Sequence, residues 1–143
     1  MSKESFEKIL QKEKIEPIIW VVEDDLDVIE SVANFLGALG VRNVYCFSNA
    51  EQALKVLEKE CPNILLTDFD LGKGKNGEEL AREIVMQNPK TTIITMSGND
   101  VSNEKIKQAV QQIGGDVIIA GKNASAIGRV ALRAIREFEE NSK

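Results

Sequence analysis

Apolar residues along the chain fall into two alternating patterns: short runs without charge, and longer stretches in which they recur every three or four positions. The run Ile64 to Thr67 is too short for a helix, is bounded by Pro62 and Gly72, and does not alternate polar with apolar positions. That is the pattern of a strand buried on both faces of a parallel sheet. Ile18 to Val22, Asn43 to Phe47, Thr92 to Met96 and Val117 to Ala120 are read as the other strands. Between them the period changes to that of helices. Val28, Ile29, Val32, Leu36 and Leu39 form one stripe, closed by Gly40 as a C-terminal cap. Asn49 caps a second helix, with Ala50, Ala53, Leu54 and Leu57 inward and Pro62 marking its end. Asn76 and Glu79 have capping-box spacing before Leu80, Ala81, Ile84 and Val85. Ser102 or Asn103 opens a fourth helix over Ile106, Ala109, Val110 and Ile113, and a last one carries Ile127, Val130, Ala131, Ala134, Ile135 and Phe138.

Five strands, each followed by an amphipathic helix, predict an α/β fold: a (βα)5 doubly wound parallel five-stranded sheet with right-handed crossovers and helices on both faces. Ahead of it, Phe6, Ile9, Leu10 and Glu13 share one face of an extra N-terminal helix over residues 3–14, stopped by Pro17. The expected division is an N-terminal amphipathic extension over 1–16 and one domain over 17–143. A chain of 143 residues has room for one core, so a separate output domain is not expected within it.

The strand ends carry the candidate chemistry. Parallel connections bring the carboxyl ends to one edge of the sheet, where ligands of such folds bind. Glu23-Asp24, Asp68, Ser97 and Lys122 stand at four of the five ends. Singly each has a dull explanation: an Asp after a strand is more often a helix cap, a Ser a turn residue, a Lys a solvated charge. Together they are harder to dismiss. Converging carboxylates repel one another and call for a cation, and oxygen ligands in a chain without histidine suit a magnesium-like ion rather than zinc. A hydroxyl and an ammonium facing the same point suit an anion with several oxygens.

Composition narrows the classes. The formal charge of -5 and the lack of a sustained Lys/Arg run argue against nucleic-acid or acidic-membrane partners. No stretch approaches the length of a membrane span and no signal-peptide core follows Met1, so a cytoplasmic location is expected. Cys46 and Cys61 are isolated and read as reduced thiols.

Val21-Val22-Glu23-Asp24-Asp25, Leu65-Leu66-Thr67-Asp68, Gly77-Glu78-Glu79-Leu80, Thr95-Met96-Ser97-Gly98 and Lys122, in that order and spacing, resemble the receiver domain of two-component response regulators, over about residues 17 to 140. The chain is similar to the single-domain, chemotaxis-type members. The resemblance implies the flavodoxin-like strand order 2-1-3-4-5. It further implies that Asp68 accepts a phosphoryl group from a histidine kinase or histidine phosphotransfer protein, and that Glu23, Asp24, Asp68 and the backbone carbonyl of Asp70 hold Mg2+. Ser97 would bond one phosphoryl oxygen and Lys122 pair with another. Implied with these are a downstream protein effector, docking on the side of the fourth and fifth strands, and a monomer or weak dimer. The resemblance also implies that the phosphotransfer would be self-catalysed and that the domain would signal rather than turn over a substrate.

Three departures modify the expectation. Gly72-Lys73-Gly74-Lys75 replaces a shorter, proline-containing loop; Ile119 stands at the aromatic switch position; and Asn123 replaces the proline that usually follows the lysine with a cis bond. A non-proline cis bond costs about 2.5–4 kcal/mol. Asn123 therefore predicts a trans peptide that turns Lys122 away from the site, which the flexible four-carbon stem could still reach at a side-chain entropy cost of up to roughly 2 kcal/mol, or else a register that puts Gly121 in the lysine's place.

Three other classes share part of this pattern. A pseudo-receiver, a protein-interaction module acting without phosphorylation, is favoured by Ile119 and Asn123 and opposed by the retained acidic cluster. Asp68-Phe69-Asp70 looks like the Asp-x-Asp motif of haloacid-dehalogenase-like phosphatases, but Gly72 stands where that motif continues with Thr or Val, and the Glu23-Asp24 strand precedes it. A flavin-phosphate module of the same fold has a Ser/Thr-rich first loop, whereas this one is acidic.

Overall fold

The structure is a computed structural model that describes residues 2–5 and 16–142. Its elements alternate as β1 (Ile19–Val22), α1 (Leu26–Ala38), β2 (Val44–Phe47), α2 (Ala50–Leu57), β3 (Ile64–Thr67), α3 (Gly77–Gln87), β4 (Thr92–Thr95), α4 (Asp100–Ile113), β5 (Asp116–Ile119) and α5 (Ala124–Asn141). The strands form one sheet in the order β2-β1-β3-β4-β5. All pairings are parallel. This is the (βα)5, flavodoxin-like arrangement expected.

Successive side chains of a strand point to opposite faces, and here each face has its own helical layer. Trp20, Val22, Leu65, Ile93 and Val117 pack under α2, α3 and α4 against Ala53, Leu80, Ile84, Ile106 and Val110. Ile19, Val21, Ile64, Leu66 and Ile94 pack under α1 and α5 against Val32, Leu36, Ile127, Ala131 and Ile135. A strand covered on both sides needs apolar residues at every position, which is why β1 and β3 do not alternate. The edge strands are covered less. Tyr45 and Cys46 of β2 are exposed, as are Asp116 and Ile119 of β5.

The register is flush. Val22 pairs with Phe47 on one side and Thr67 on the other, Thr67 pairs with Thr95, and Thr95 with Ile119. The residues that follow these five positions therefore emerge along one line, and the site is built there.

Caps account for the boundaries that differ from expectation. Asp25 accepts from Asp27 N and starts α1 at Leu26. Asn99 accepts from Val101 N and Ser102 N, which opens α4 at Asp100, ahead of Ser102 and Asn103. Asn103 is instead turned inward and buried. Gly40, in the left-handed region at φ 86, follows α1 as expected, and its N–H donates to the Gly37 carbonyl. Asn76 and Glu79 form the capping box.

Residues 3–5 are helical, whereas the proposed face of Phe6, Ile9, Leu10 and Glu13 lies outside the described residues. Both cysteines are free. Among the described residues no helix is long and apolar enough to cross a membrane.

Candidate functional site

Asp68 leaves β3 held by its backbone. Its N–H donates to Val22 O at 3.1 Å, its carbonyl accepts from Thr67 Oγ1 at 2.8 Å, and its Oδ1 accepts from Phe69 N at 2.8 Å. The start of α3 presses against this turn, with Gly77 N donating to Phe69 O at 2.7 Å. A Cβ at Gly77 would run into the Asp68 carbonyl oxygen, so only glycine permits this approach.

The loop between β3 and α3 is pinned rather than loose. Leu71 is buried at its start, Gly72 and Gly74 take positive φ, Lys75 N donates to Glu51 Oε1 at 2.8 Å, and Lys75 Nζ reaches Glu83 Oε2 at 3.0 Å. The extra glycines supply turns that other residues resist. Asp70, exposed in this loop, accepts from Gly72 N at 3.2 Å through its side chain.

Glu23 follows β1 and is fully buried. One oxygen accepts from Asp25 N at 3.3 Å, while Oε2 has no hydrogen-bond partner. Asp24 beside it is exposed. Carboxylate oxygens of Glu23, Asp24 and Asp68 lie within 4.8 Å of one another. Burial, and then the negative charge of Asp68, push the Glu23 carboxyl up to about 7, against the counteracting charge of Lys122.

Lys122 reaches this cluster. Its ammonium lies 3.0 Å from Asp68 Oδ2 and 3.3 Å from Glu23 Oε1. This corrects the expectation drawn from Asn123. The peptide after Lys122 is trans, with no cis bond among the described residues, yet the side chain is not turned away and Gly121 does not take its place. Gly121, at φ 69, makes the turn; Ala120 N and Gly121 N both donate to Thr95 O, at 2.9 and 3.3 Å, and the long stem covers the remaining distance. Burial works against the ammonium, but the hydrogen bond and charge of Asp68, with the charge of Glu23, outweigh it and hold Lys122 above its ordinary value. Asn123 has a task of its own. Its side chain accepts from Ser125 N at 2.9 Å and Ala126 N at 3.2 Å, capping α5 where proline has no side-chain acceptor.

Ser97 is buried in the turn after β4, where its hydroxyl accepts from Asn99 N at 3.1 Å. Gly98 packs beside the Lys122 stem, its Cβ position 4.0 Å from Lys122 Cγ. The fold thus brings Glu23, Asp24, Asp68 and Lys122 into one cluster and sets Ser97 at its margin. The tether from Glu51 and the buried amide of Asn103 were not read from the sequence, where a glutamate on a helix and an asparagine near a helix start carry no such signal.

An orphaned buried carboxylate oxygen, three oxygens drawn together and a glutamate that resists ionisation fit a hard divalent cation. Next to the cluster an apolar groove of about 320 Å³ runs between α1 and α5, lined by Val28, Val32, Phe35 and Ile127 as well as Lys122.

Comparison with known proteins converges on one family. Residues 19–124 match the family profile described as the response regulator receiver domain. The transcriptional regulatory protein ComA of Bacillus subtilis (strain 168) is 31% identical over 87 residues, which cover 59% of this chain and 41% of ComA. The chain therefore spans less than half the length of that relative. The receiver domain of NtrX from Brucella abortus is 27% identical and superposes with a TM-score of 0.64 over 82% of this chain and 98% of that domain. A CheY-like receiver domain protein from Methanospirillum hungatei JF-1, 24% identical, shares the fold with a TM-score of 0.69 over 87% of this chain and 94% of its own.

Proposed function

The chain belongs to the response regulator receiver domain family of two-component systems, and from that premise we propose that Asp68 accepts a phosphoryl group from a histidine kinase or a histidine phosphotransfer protein. The observation that carries this reading is the Asp68 carboxylate at the carboxyl end of β3, with Lys122 Nζ at 3.0 Å and the oxygens of Glu23 and Asp24 within 4.8 Å. An Asp68 oxygen attacks phosphorus, the bond from phosphorus to the donor imidazole nitrogen breaks, and the nitrogen keeps its electron pair. The product on this chain is an acyl phosphate.

Charge in such a transfer spreads over three equatorial oxygens, so the protein mainly positions and neutralises. Lys122 pairs with one of these oxygens. Ser97 donates its hydroxyl to another once it turns from its own loop. Glu23, Asp24, Asp68 and the Asp70 backbone carbonyl are the residues that would hold Mg2+, which when bound neutralises phosphoryl charge. The groove between α1 and α5 is lined in part by Lys122, whose ammonium pairs with Asp68, so apolar surface adjoins the site and suits a protein donor. In this reading residues 17–143 are a cytoplasmic signalling domain, monomeric or weakly dimeric, that addresses a downstream protein effector, and residues 1–16 are an extension to it.

The test is mass spectrometry after incubation with Mg2+ and acetyl phosphate. The unmutated chain is expected to gain one phosphoryl group and Asp68→Asn none. An unmutated chain that gains nothing from either a small donor or a phosphorylated histidine phosphotransfer protein would instead be a pseudo-receiver.

A further inference from the structure

Helix α4 buries Ile106 and Val110 as its pattern requires, but its third buried side chain is the amide of Asn103, 2% exposed. A polar group in that position costs stability unless both ends are bonded. Both are. Asn103 Oδ1 accepts from Thr95 Oγ1 at 2.6 Å, and Nδ2 donates to the Ser97 carbonyl at 2.9 Å. The Thr95 carbonyl in turn accepts from Ala120 N and Gly121 N, the turn that aims Lys122. One side chain of α4 is therefore bonded to the end of β4 and to the Ser97 turn, and through Thr95 it adjoins the Lys122 turn. Helix α4 also lies against the residue after Asp68, with Lys105 Nζ 5.8 Å from the Phe69 ring centre. By contrast Ile119, 41% exposed, has neither a polar tip nor a ring to move between two environments.

We propose that Asn103 is a positioning residue that couples the Ser97 turn to α4, so that displacement of Ser97 toward a phosphoryl group on Asp68 is delivered to the outer face of α4 instead of to position 119. The inference rests on the phosphoacceptor reading of Asp68. Directional hydrogen bonds suit this task better than an apolar contact, because a Leu at 103 would slide along the turn, whereas the amide must follow the Ser97 carbonyl. The surface affected carries the exposed Val101, Glu104 and Lys105, a mixed apolar and charged face for an effector protein.

The experiment uses the full chain with Mg2+ and beryllofluoride, a mimic of a phosphoryl group on aspartate, and follows two sets of amide resonances. Phe69 reports occupancy at Asp68; Val101 to Val110 report α4. In the unmutated protein both sets shift. Asn103→Ala is expected to keep the Phe69 shift and to reduce the α4 shifts roughly twofold or more. Thr95→Val, which removes the hydroxyl that orients Asn103 without altering α4, is expected to do the same, and Thr95→Ser to restore the response. The Thr95 pair decides the matter if Asn103→Ala does not fold. Occupancy with undiminished α4 shifts in Thr95→Val overturns the coupling alone, whereas no beryllofluoride binding by the unmutated protein overturns the phosphoacceptor reading and the coupling with it.

Discussion

The ends of β1 and β3 deliver their groups to the site differently from the ends of β4 and β5. Glu23 and Asp68 follow central strands with every side chain buried, and both are buried themselves. Their backbone bonds reach into neighbouring strands: Glu23 N to Phe47 O and Asp68 N to Val22 O, each at 3.1 Å. Ser97 and Lys122 stand instead on turns, one with its hydroxyl engaged in its own loop and the other with a side chain 40% exposed. Carboxylates that repel one another stay together only if the strands behind them cannot yield. On the proposed function Ser97 and Lys122 close on a phosphoryl group at Asp68, and a position on a turn suits groups with that task better than one on a central strand.

The largest effect is expected at Asp24. Asp24→Ala is expected to weaken Mg2+ binding by at least the roughly 100-fold that loss of an outer-shell partner costs at the upper end, measured by isothermal titration calorimetry. Unchanged affinity would mean that the first half of the site is not a cation site.

Next comes Glu23. Its carboxyl is raised from 4.5 to about 7, so between those values the folded chain holds a proton that the unfolded chain has released. Its contribution is fully present below pH 4.5 and is lost as pH rises toward 7. In EDTA, urea unfolding is expected to show stability falling over this range by an amount of the order of 2–3 kcal/mol, and Glu23→Gln is expected to flatten the decline. A decline of equal size in the Gln variant would assign the titration to another group.

Lys122 tests the half that stands on turns. Because it is half-exposed, Lys122→Ala is expected to slow phosphorylation of Asp68 by about tenfold, less than loss of a fully enclosed donor. The same change should raise the Glu23 titration further, since the ammonium holds it down; carbon-13 NMR of the carboxyl reads this directly. The smallest effect is at Asn123, where Asn123→Ala removes the α5 cap at a cost of about 1 kcal/mol in urea unfolding, with Lys122 staying in place.

The alternation of strands and helices was legible in the sequence because burial imposes a periodicity: uninterrupted apolar runs where both faces of the sheet are covered, a 3.6-residue stripe where one face of a helix is. Gly40, Asn49 and the Asn76–Glu79 box were legible for a related reason, since caps and left-handed turns act on backbone groups within a few residues. So was the gathering of Glu23, Asp24, Asp68, Ser97 and Lys122 at one edge, because parallel topology places every strand's carboxyl end there. The remaining features arise between segments, from contacts made only in the folded chain. Asn123 suggested a misdirected lysine, but the aim of Lys122 is set by Gly121 and by Thr95, a residue of another strand. The pull of two carboxylates far away in sequence then completes it. Asn103 read as the start of a helix and is instead a buried amide joined to β4. A hydrogen bond between distant elements depends on register and packing, and neither is written in local periodicity.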